Sequence, residues 1–292
     1  MPRRTLARSA LFARMSPKIG DLDDRAVAGA IGDDRDEALT LLATLTSATD
    51  EQLRARVRRL AAQVFIDLAA SGPRRLRGTV QLASVVYRPG IGDIDVDASL
   101  DALIDAQASG AAVDVDRLRV RAWTTPATAW CLLVDHSGSM AGRSLATAGM
   151  AAAAIAGRAA PEQVAVLSFA RSVVAVTTFA EHHDPRVVVD RVLALRGHGT
   201  TDLAAALRAA AGQLSAARAG RRISVLLSDC RQTEPGDAVA AAAALEELVI
   251  VAPHGDSEEA AQLASSVGAR WTAVSAPSQI PSALAGVFDR GP

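Results

Sequence analysis

From Arg117 to the C-terminus, short and wholly apolar runs alternate with alanine-rich segments of helical period, and this alternation narrows the fold more than any other feature. The apolar runs are Trp130–Val134, Val164–Phe169, Val173–Phe179, Ile223–Leu227, Leu248–Ala252 and Trp271–Val274. The intervening segments read as helices at Arg143–Arg158, Pro185–Leu195, Leu203–Ala217, Asp237–Leu245, Ser257–Val267 and Gln279–Asp289. Strands with no polar alternation are covered on both faces. The pattern therefore predicts an α/β fold with a doubly wound, mainly parallel six-stranded sheet. Only Ala170-Arg171-Ser172 separates the second run from the third, which is too short for a parallel crossover. One edge strand is accordingly expected to run antiparallel.

The first part of the chain follows a different pattern. Residues 21–116 read as a small, mostly helical domain preceding a sheet domain at 117–292, and residues 1–20 as a solvated, flexible tail. The acid-free, Arg- and Ser-rich start leaves an organelle transit peptide as the alternative. The clearest helix is Asp50–Ala70, where Thr49 and Gln52 have capping-box spacing. Leu53, Val57, Leu60, Val64 and Leu68 form its apolar stripe, Arg54, Arg58 and Arg59 read as a solvated face, and Ser71-Gly72-Pro73 stops it. Shorter helices are expected at Asp36–Thr46 and Ala98–Ala108. Asp93-Ile94-Asp95-Val96-Asp97 looks like the first half of a calcium loop, but Ala98 and Ile104 stand where glycine and a carboxylate are needed. Asp97 or Ser99 reads instead as the N-cap of the following helix.

Composition excludes several classes of function. A formal net charge of −1 removes the global attraction of a general nucleic-acid or anionic-membrane binder, and 3% aromatic residues argue against base-stacking platforms. Lys18 is the only lysine among 31 basic residues and Ile19 follows it, so there is no Walker A loop. Cys131 and Cys230 make no disulfide framework. No apolar segment follows the N-terminal arginines as a secretory signal requires, and Leu145–Gly157 is too short to span a bilayer. A soluble cytoplasmic protein, without membrane insertion, is expected.

In an open α/β sheet, ligands collect beyond the carboxyl ends of the strands. Asp135-His136-Ser137-Gly138-Ser139-Met140 follows the first strand and Ser228-Asp229-Cys230 the fourth, while Gly197-His198-Gly199-Thr200-Thr201-Asp202 precedes a helix. Convergence of these loops gathers two carboxylates and several hydroxyls. An all-oxygen set with two negative charges suits Mg²⁺ or Mn²⁺ better than zinc. Each element alone has a plainer explanation, Ser-Gly-Ser as a helix cap and Asp229 as a solvated strand end; the three in topological order do not. An Asp-x-Asp phosphatase needs a carboxylate where Ser137 stands, and neither serine has the glycine of a nucleophile elbow two residues before it. His136, His198 and Cys230 read as exposed loop residues.

Asp-x-Ser-x-Ser, Gly-x-Gly-Thr-Thr-Asp and the later Ser-Asp, in this order, resemble the von Willebrand factor type A (VWA) domain over about residues 117–292. The resemblance implies a metal-ion-dependent adhesion site (MIDAS), with Asp135, Ser137, Ser139, Thr201 and Asp229 as the ligands of Mg²⁺ or Mn²⁺. Thr200 is the alternative to Thr201. Cys230 departs from the glycine that often follows the distal aspartate in that family. The run Cys131–Met140 and the later Val166–Phe169 are most similar to the intracellular bacterial CoxE-like, MoxR-associated group, related to the integrin-like domain of magnesium and cobalt chelatase subunits. That likeness implies a non-catalytic interaction module. Its partners would be a MoxR-type AAA+ ATPase, a client protein offering an Asp or Glu carboxylate, or both. The alternative it implies is a non-ATPase chelatase subunit, from which this chain departs by lacking an AAA+ module and an acidic, proline-rich linker.

Overall fold

The computed structural model describes residues 6, 9–72, 81–124, 127–137, 142–159, 163–197 and 199–289. Among the described residues, helices α1 (Ala10–Met15), α2 (Asp24–Asp33), α3 (Arg35–Leu45) and α4 (Glu51–Ala70) precede the first strand. Next are β1 (Gln81–Val86), β2 (Asp93–Ile94), α5 (Val96–Ser109) and β3 (Arg119–Thr124). The alternating part begins with β4 (Thr128–Asp135), α6 (Arg143–Ala156), β5 (Val164–Phe169), β6 (Val173–Thr177), α7 (Pro185–Leu193) and α8 (Leu203–Ala216). It ends with β7 (Arg221–Leu227), α9 (Ala238–Ala243), β8 (Glu247–Pro253), α10 (Glu258–Val267), β9 (Arg270–Val274) and α11 (Ile280–Asp289). Every apolar run from Trp130 onward is a strand, with ends moved by at most two residues.

Strands β4 to β9 form one sheet in the order β6-β5-β4-β7-β8-β9, parallel except for β6, which pairs antiparallel with β5 at the edge. The three-residue link dictates that exception, as expected. Alternate residues of β4 serve opposite cores. Trp130, Leu132 and Val134 join α6, α7 and α11, whereas Cys131 and Leu133 join Leu203 and Leu207 of α8 and Leu263 of α10.

Helix α6 is buried almost all round, which accounts for its alanine content: larger side chains would hold off the sheet below and the helices above. A Cβ on Gly149 would stand 2.7 Å from Leu193 Cδ2 and 3.0 Å from Phe65 Cε1, so any other residue there would make those two side chains shift. The stretch Leu145–Gly157 is thus core. Among the described residues no helix is long and apolar enough to cross a membrane.

By internal contacts the chain divides into two units, Met1–Leu76 with Thr128–Pro292, and Arg77–Ala127. Helices α3 and α4 therefore belong with the six-stranded sheet, packing on α6. Buried Thr46 donates to Leu193 O (2.8 Å), and Ser278 donates twice to the Asp36 carboxylate (both 2.8 Å). Residues 9–20 are not a solvated tail: Ser9 caps α1, which buries Leu11, Phe12 and Met15. The cap of α4 is Asp50, whose Oδ1 accepts from Leu53 N (3.1 Å), and not the Thr49 of the expected capping box.

The second unit corrects the helical reading of residues 81–94. It is an antiparallel sheet in the order β1-β3-β2, with α5 packed on β3. Along β3, Val120 and Ala122 are buried while Arg119, Arg121 and Trp123 face solvent. The boundary expected near residue 117 falls inside this unit, just before β3. Asp95, not Asp97 or Ser99, caps α5: it is buried, accepts from Ala98 N (3.3 Å) and lies 3.4 Å from the Arg121 guanidinium. The Ser84 hydroxyl first, then the Ala98 N–H and Arg121, hold its carboxyl below the ordinary carboxylate value.

Candidate functional site

Parallel pairing of β4 with β7, in a register that sets Val134 beside Leu227, delivers Asp135 and Ser228 side by side at the carboxyl end of the sheet. Both oxygens of Asp135 are used. Oδ1 accepts from Ser137 N (2.9 Å) and Ser137 Oγ (2.6 Å), and Oδ2 accepts from Ser228 Oγ (2.6 Å). The two-residue step from Asp135 to Ser137 is an Asx turn: the carboxylate holds the backbone that leads away from β4.

Asp229 follows on the same side. Its Oδ1 accepts from Arg231 N (2.9 Å), and between them Cys230 sits at φ +64°, the left-handed region that glycine enters most easily. Cys230 thus takes the conformation a glycine would supply, stabilised by its N–H bond to Ser228 Oγ (2.9 Å). Burial pushes the Asp229 carboxyl above the ordinary carboxylate value against the Arg231 N–H, with the charges of Asp135 and Asp256 adding to the rise.

Asp135, Ser137, Ser228 and Asp229 line a cavity of about 460 Å³, walled on its apolar side by residues such as Leu227 and Val251. Neither carboxylate has an ion pair among the described residues. The guanidinium of Arg231 is taken by Asp256 (2.6 Å) and Glu259 (3.4 Å), and that of Arg143, at the cavity rim, donates to Ser275 O (3.3 Å). Two partly buried carboxylates therefore share a cavity without an ion-pair partner among the described residues, the Arg143 guanidinium that lines it donating to Ser275 O instead.

The threonines separate clearly. Thr200 is exposed and donates to Glu234 Oε1 (2.5 Å). Thr201 is buried; its N–H donates to Thr233 Oγ1 (2.7 Å) and its carbonyl accepts from the N–H groups of Thr233 and Glu234 (3.1 Å each). Its neighbour Asp202 joins the loop to the end of β5 through Ala170 O (2.8 Å) and caps α8. Thr201 does not line the cavity at Asp135. Ser139 and His198 lie outside the described residues.

His136 and Cys230 are buried, correcting their reading as exposed loop residues: each faces inward where its loop leaves a strand, with His136 N bonded to Phe169 O (2.9 Å). Burial pushes the Cys131 thiol up to about 12 and, with the nearby carboxylates, the Cys230 thiol likewise. Both cysteines are free, and neither is a thiolate at neutral pH. Among the described residues no group of three or more His, Cys, Asp or Glu is placed to hold a metal ion. The donors at this cavity are two carboxylates helped by hydroxyls, a set that suits a hard, oxygen-preferring cation. Sequence reasoning passed over Ser228 as a partner of Asp135, because that role follows only from the β4–β7 register.

Residues 53–279 match the family described as VWA domain containing CoxE-like protein. Among curated proteins none matches. Proximal thread matrix protein 1 of the mussel byssus superposes with a TM-score of 0.46 at 13% identity, over 56% of this chain and 47% of its own. A von Willebrand factor type A protein from Catenulispora acidiphila gives 0.45 at 14%, over 57% and 43%. BatB from Bacteroides thetaiotaomicron gives 0.41 at 15%, over 56% and 98%. The chain thus spans less than half the length of the first two. The family match covers well over half of the 292 residues, and the chain belongs to the VWA domain containing CoxE-like proteins.

Proposed function

We propose that the protein is a non-catalytic, divalent-metal-dependent interaction module. Asp135, Ser137 and Asp229 would hold Mg²⁺ or Mn²⁺, with Ser139 a further ligand; Thr201 does not line this cavity and enters the set only through the family resemblance. The single observation that carries this reading is the carboxylate pair at the ends of β4 and β7, sharing a cavity in which neither has an ion pair among the described residues. Held by these residues, a divalent ion would offset the charge of the two carboxylates and supply an attraction for an Asp or Glu of a partner. The protein's own groups prepare this arrangement. Ser137 and Ser228 fix the Asp135 carboxylate by donating to it, and the turn at Cys230 holds Asp229 beside it.

Membership of the CoxE-like family supports a MoxR-type AAA+ ATPase as the partner, acting with this chain in assembly, maturation or metal insertion of a client protein. The test is capture from native-host extract by tagged protein in Mg²⁺, in EDTA, and with Asp135→Ala, beside calorimetric titration of Mg²⁺ and Mn²⁺. An AAA+ ATPase or client captured only by wild type with metal supports the reading. The same partners in all three lanes, or no metal uptake by the wild type, sinks it.

A further inference from the structure

A second candidate binding surface lies where α4 and α7 pack together, sharing no lining residue with the cavity at Asp135. It is a groove of about 400 Å³. Arg58 of α4 grips Asp190 of α7 through two hydrogen bonds, Nε to Oδ1 (2.7 Å) and Nη2 to Oδ2 (3.0 Å), so the carboxylate that lines the groove is already neutralised. Arg59 and Arg186 also line it. Both are exposed, and among the described residues neither guanidinium has an ion pair or side-chain hydrogen bond. Between them the surface is made by short apolar side chains, chiefly Ala62 and the 40% exposed Val187.

The charge balance of the groove is therefore two positive charges in excess, on a chain whose formal net charge is −1. The field extends beyond the lining. Arg196, exposed at the surface, has its pKa lowered first by desolvation and then by the charges of Arg58 and Arg54. Two unpaired planar forks beside a shallow apolar floor are matched by an extended chain that brings carboxylates to the forks and small side chains to the floor.

We infer that the α4–α7 groove binds an acidic segment of a partner protein, through Arg59 and Arg186, and does so without metal. The surface would give the protein a second point of attachment, so that a partner held at both gains by effective concentration and not by new chemistry at either.

The probe is a labelled ten-residue peptide of alternating Glu and Ala, followed by fluorescence anisotropy on the full chain in EDTA. Wild type should bind it at low ionic strength and lose most of that binding at about 0.2 M salt, where screening is strong. The doubly reversed variant R59E/R186E should bind about tenfold or more weakly, and R59K/R186K should retain part of the affinity. Asp135→Ala should bind the peptide as wild type does, which separates this surface from the metal site. Unchanged circular-dichroism melting of the reversed variant shows that the fold is intact. The inference is overturned if R59E/R186E binds the peptide like wild type, or if a Gln-Ala peptide of the same length binds equally well. It is also overturned if the arginine-dependent ligand proves to be a phosphatidylserine vesicle and not the acidic peptide.

Discussion

Two acidic clusters in this chain look alike as sequence and have opposite fates in the fold. Asp93-Ile94-Asp95-Val96-Asp97 carries three carboxylates and Asp135 to Ser139 only one, so counting charges favours the first as a cation site. In the structure two of the three, Asp95 and Asp97, meet partners within their own unit. Asp95 caps α5, receives Ser84 and Arg121, and ionises more readily than an ordinary carboxylate; Asp97 lies 3.7 Å from Arg121. At the end of β4 and β7 the protein supplies hydroxyls and amides but, among the described residues, no ion pair, and Asp229 ionises less readily than an ordinary carboxylate. What distinguishes a candidate cation site is therefore not the number of acids but whether the fold has already provided their counter-charge.

The largest expected effect follows from exchanging the two. Asp135→Ala should lower Mg²⁺ affinity by more than about a hundredfold, since loss of an outer-shell partner alone commonly costs ten- to a hundredfold. Its metal-free melting temperature should fall, because Ser137 and Ser228 lose their acceptor, with part of that loss offset by removing a like-charge neighbour of Asp229. Asp95→Ala should leave Mg²⁺ titration untouched. Equal loss in both variants would erase the distinction drawn here.

Ser228→Ala sharpens the same comparison one step further out. Its hydroxyl donates to Asp135 and accepts from Cys230 N. Removal should weaken Mg²⁺ binding about tenfold and cost about 1 kcal/mol of stability, read by calorimetry and by denaturant unfolding. An affinity equal to wild type would show that Ser228 only supports the turn.

Why Ser228 was invisible in the sequence while Asp135 was not is a matter of range. The apolar runs and alanine-rich helices of residues 128–289 announce themselves within short windows of the sequence, and the three-residue link to β6 forces its direction. Asp135, Ser137 and Asp229 are conspicuous because short oxygen-bearing side chains follow strand ends. Roles that depend on pairing are different in kind. Ser228 meets Asp135 only through the β4–β7 register, and β3 finds its partner only once Leu82 stands opposite Trp123. Arg119 and Arg121 alternate with Val120 and Ala122 on β3, but that six-residue signal gains meaning only from β1. Likewise α1 is too short to declare itself, and its burial of Phe12 and Met15 is a tertiary event.

The other side of the comparison is tested by acid. Asp95 has its carboxyl lowered in the folded state, so its contribution to stability is fully present above the ordinary value of 3.8 and disappears as pH falls through the lower folded value. NMR-followed acid unfolding of the Arg77–Ala127 unit should show this limb, and Asp95→Asn should flatten it while keeping the cap. Asp95→Ala removes the cap as well and should cost about 1 kcal/mol at neutral pH. An acid limb unchanged by Asp95→Asn would mean that Asp95 is not satisfied as described.

The smallest effect is expected for Cys230→Gly, where several terms oppose one another. Cys230→Gly relieves a left-handed backbone costing about 1 kcal/mol, returns roughly 0.5–1 kcal/mol to unfolded-chain entropy, and gives up the burial of a small thiol that is 6% exposed. The net change in unfolding free energy should lie within about 1 kcal/mol of zero, with Mg²⁺ affinity retained. Cys230→Val keeps the burial but puts a β-branched side chain at φ +64°, a conformation such residues almost never adopt. It should destabilise by about 1–3 kcal/mol and weaken Mg²⁺ binding by displacing Asp229. If valine is tolerated as readily as glycine, the left-handed turn is not what holds Asp229 beside Asp135.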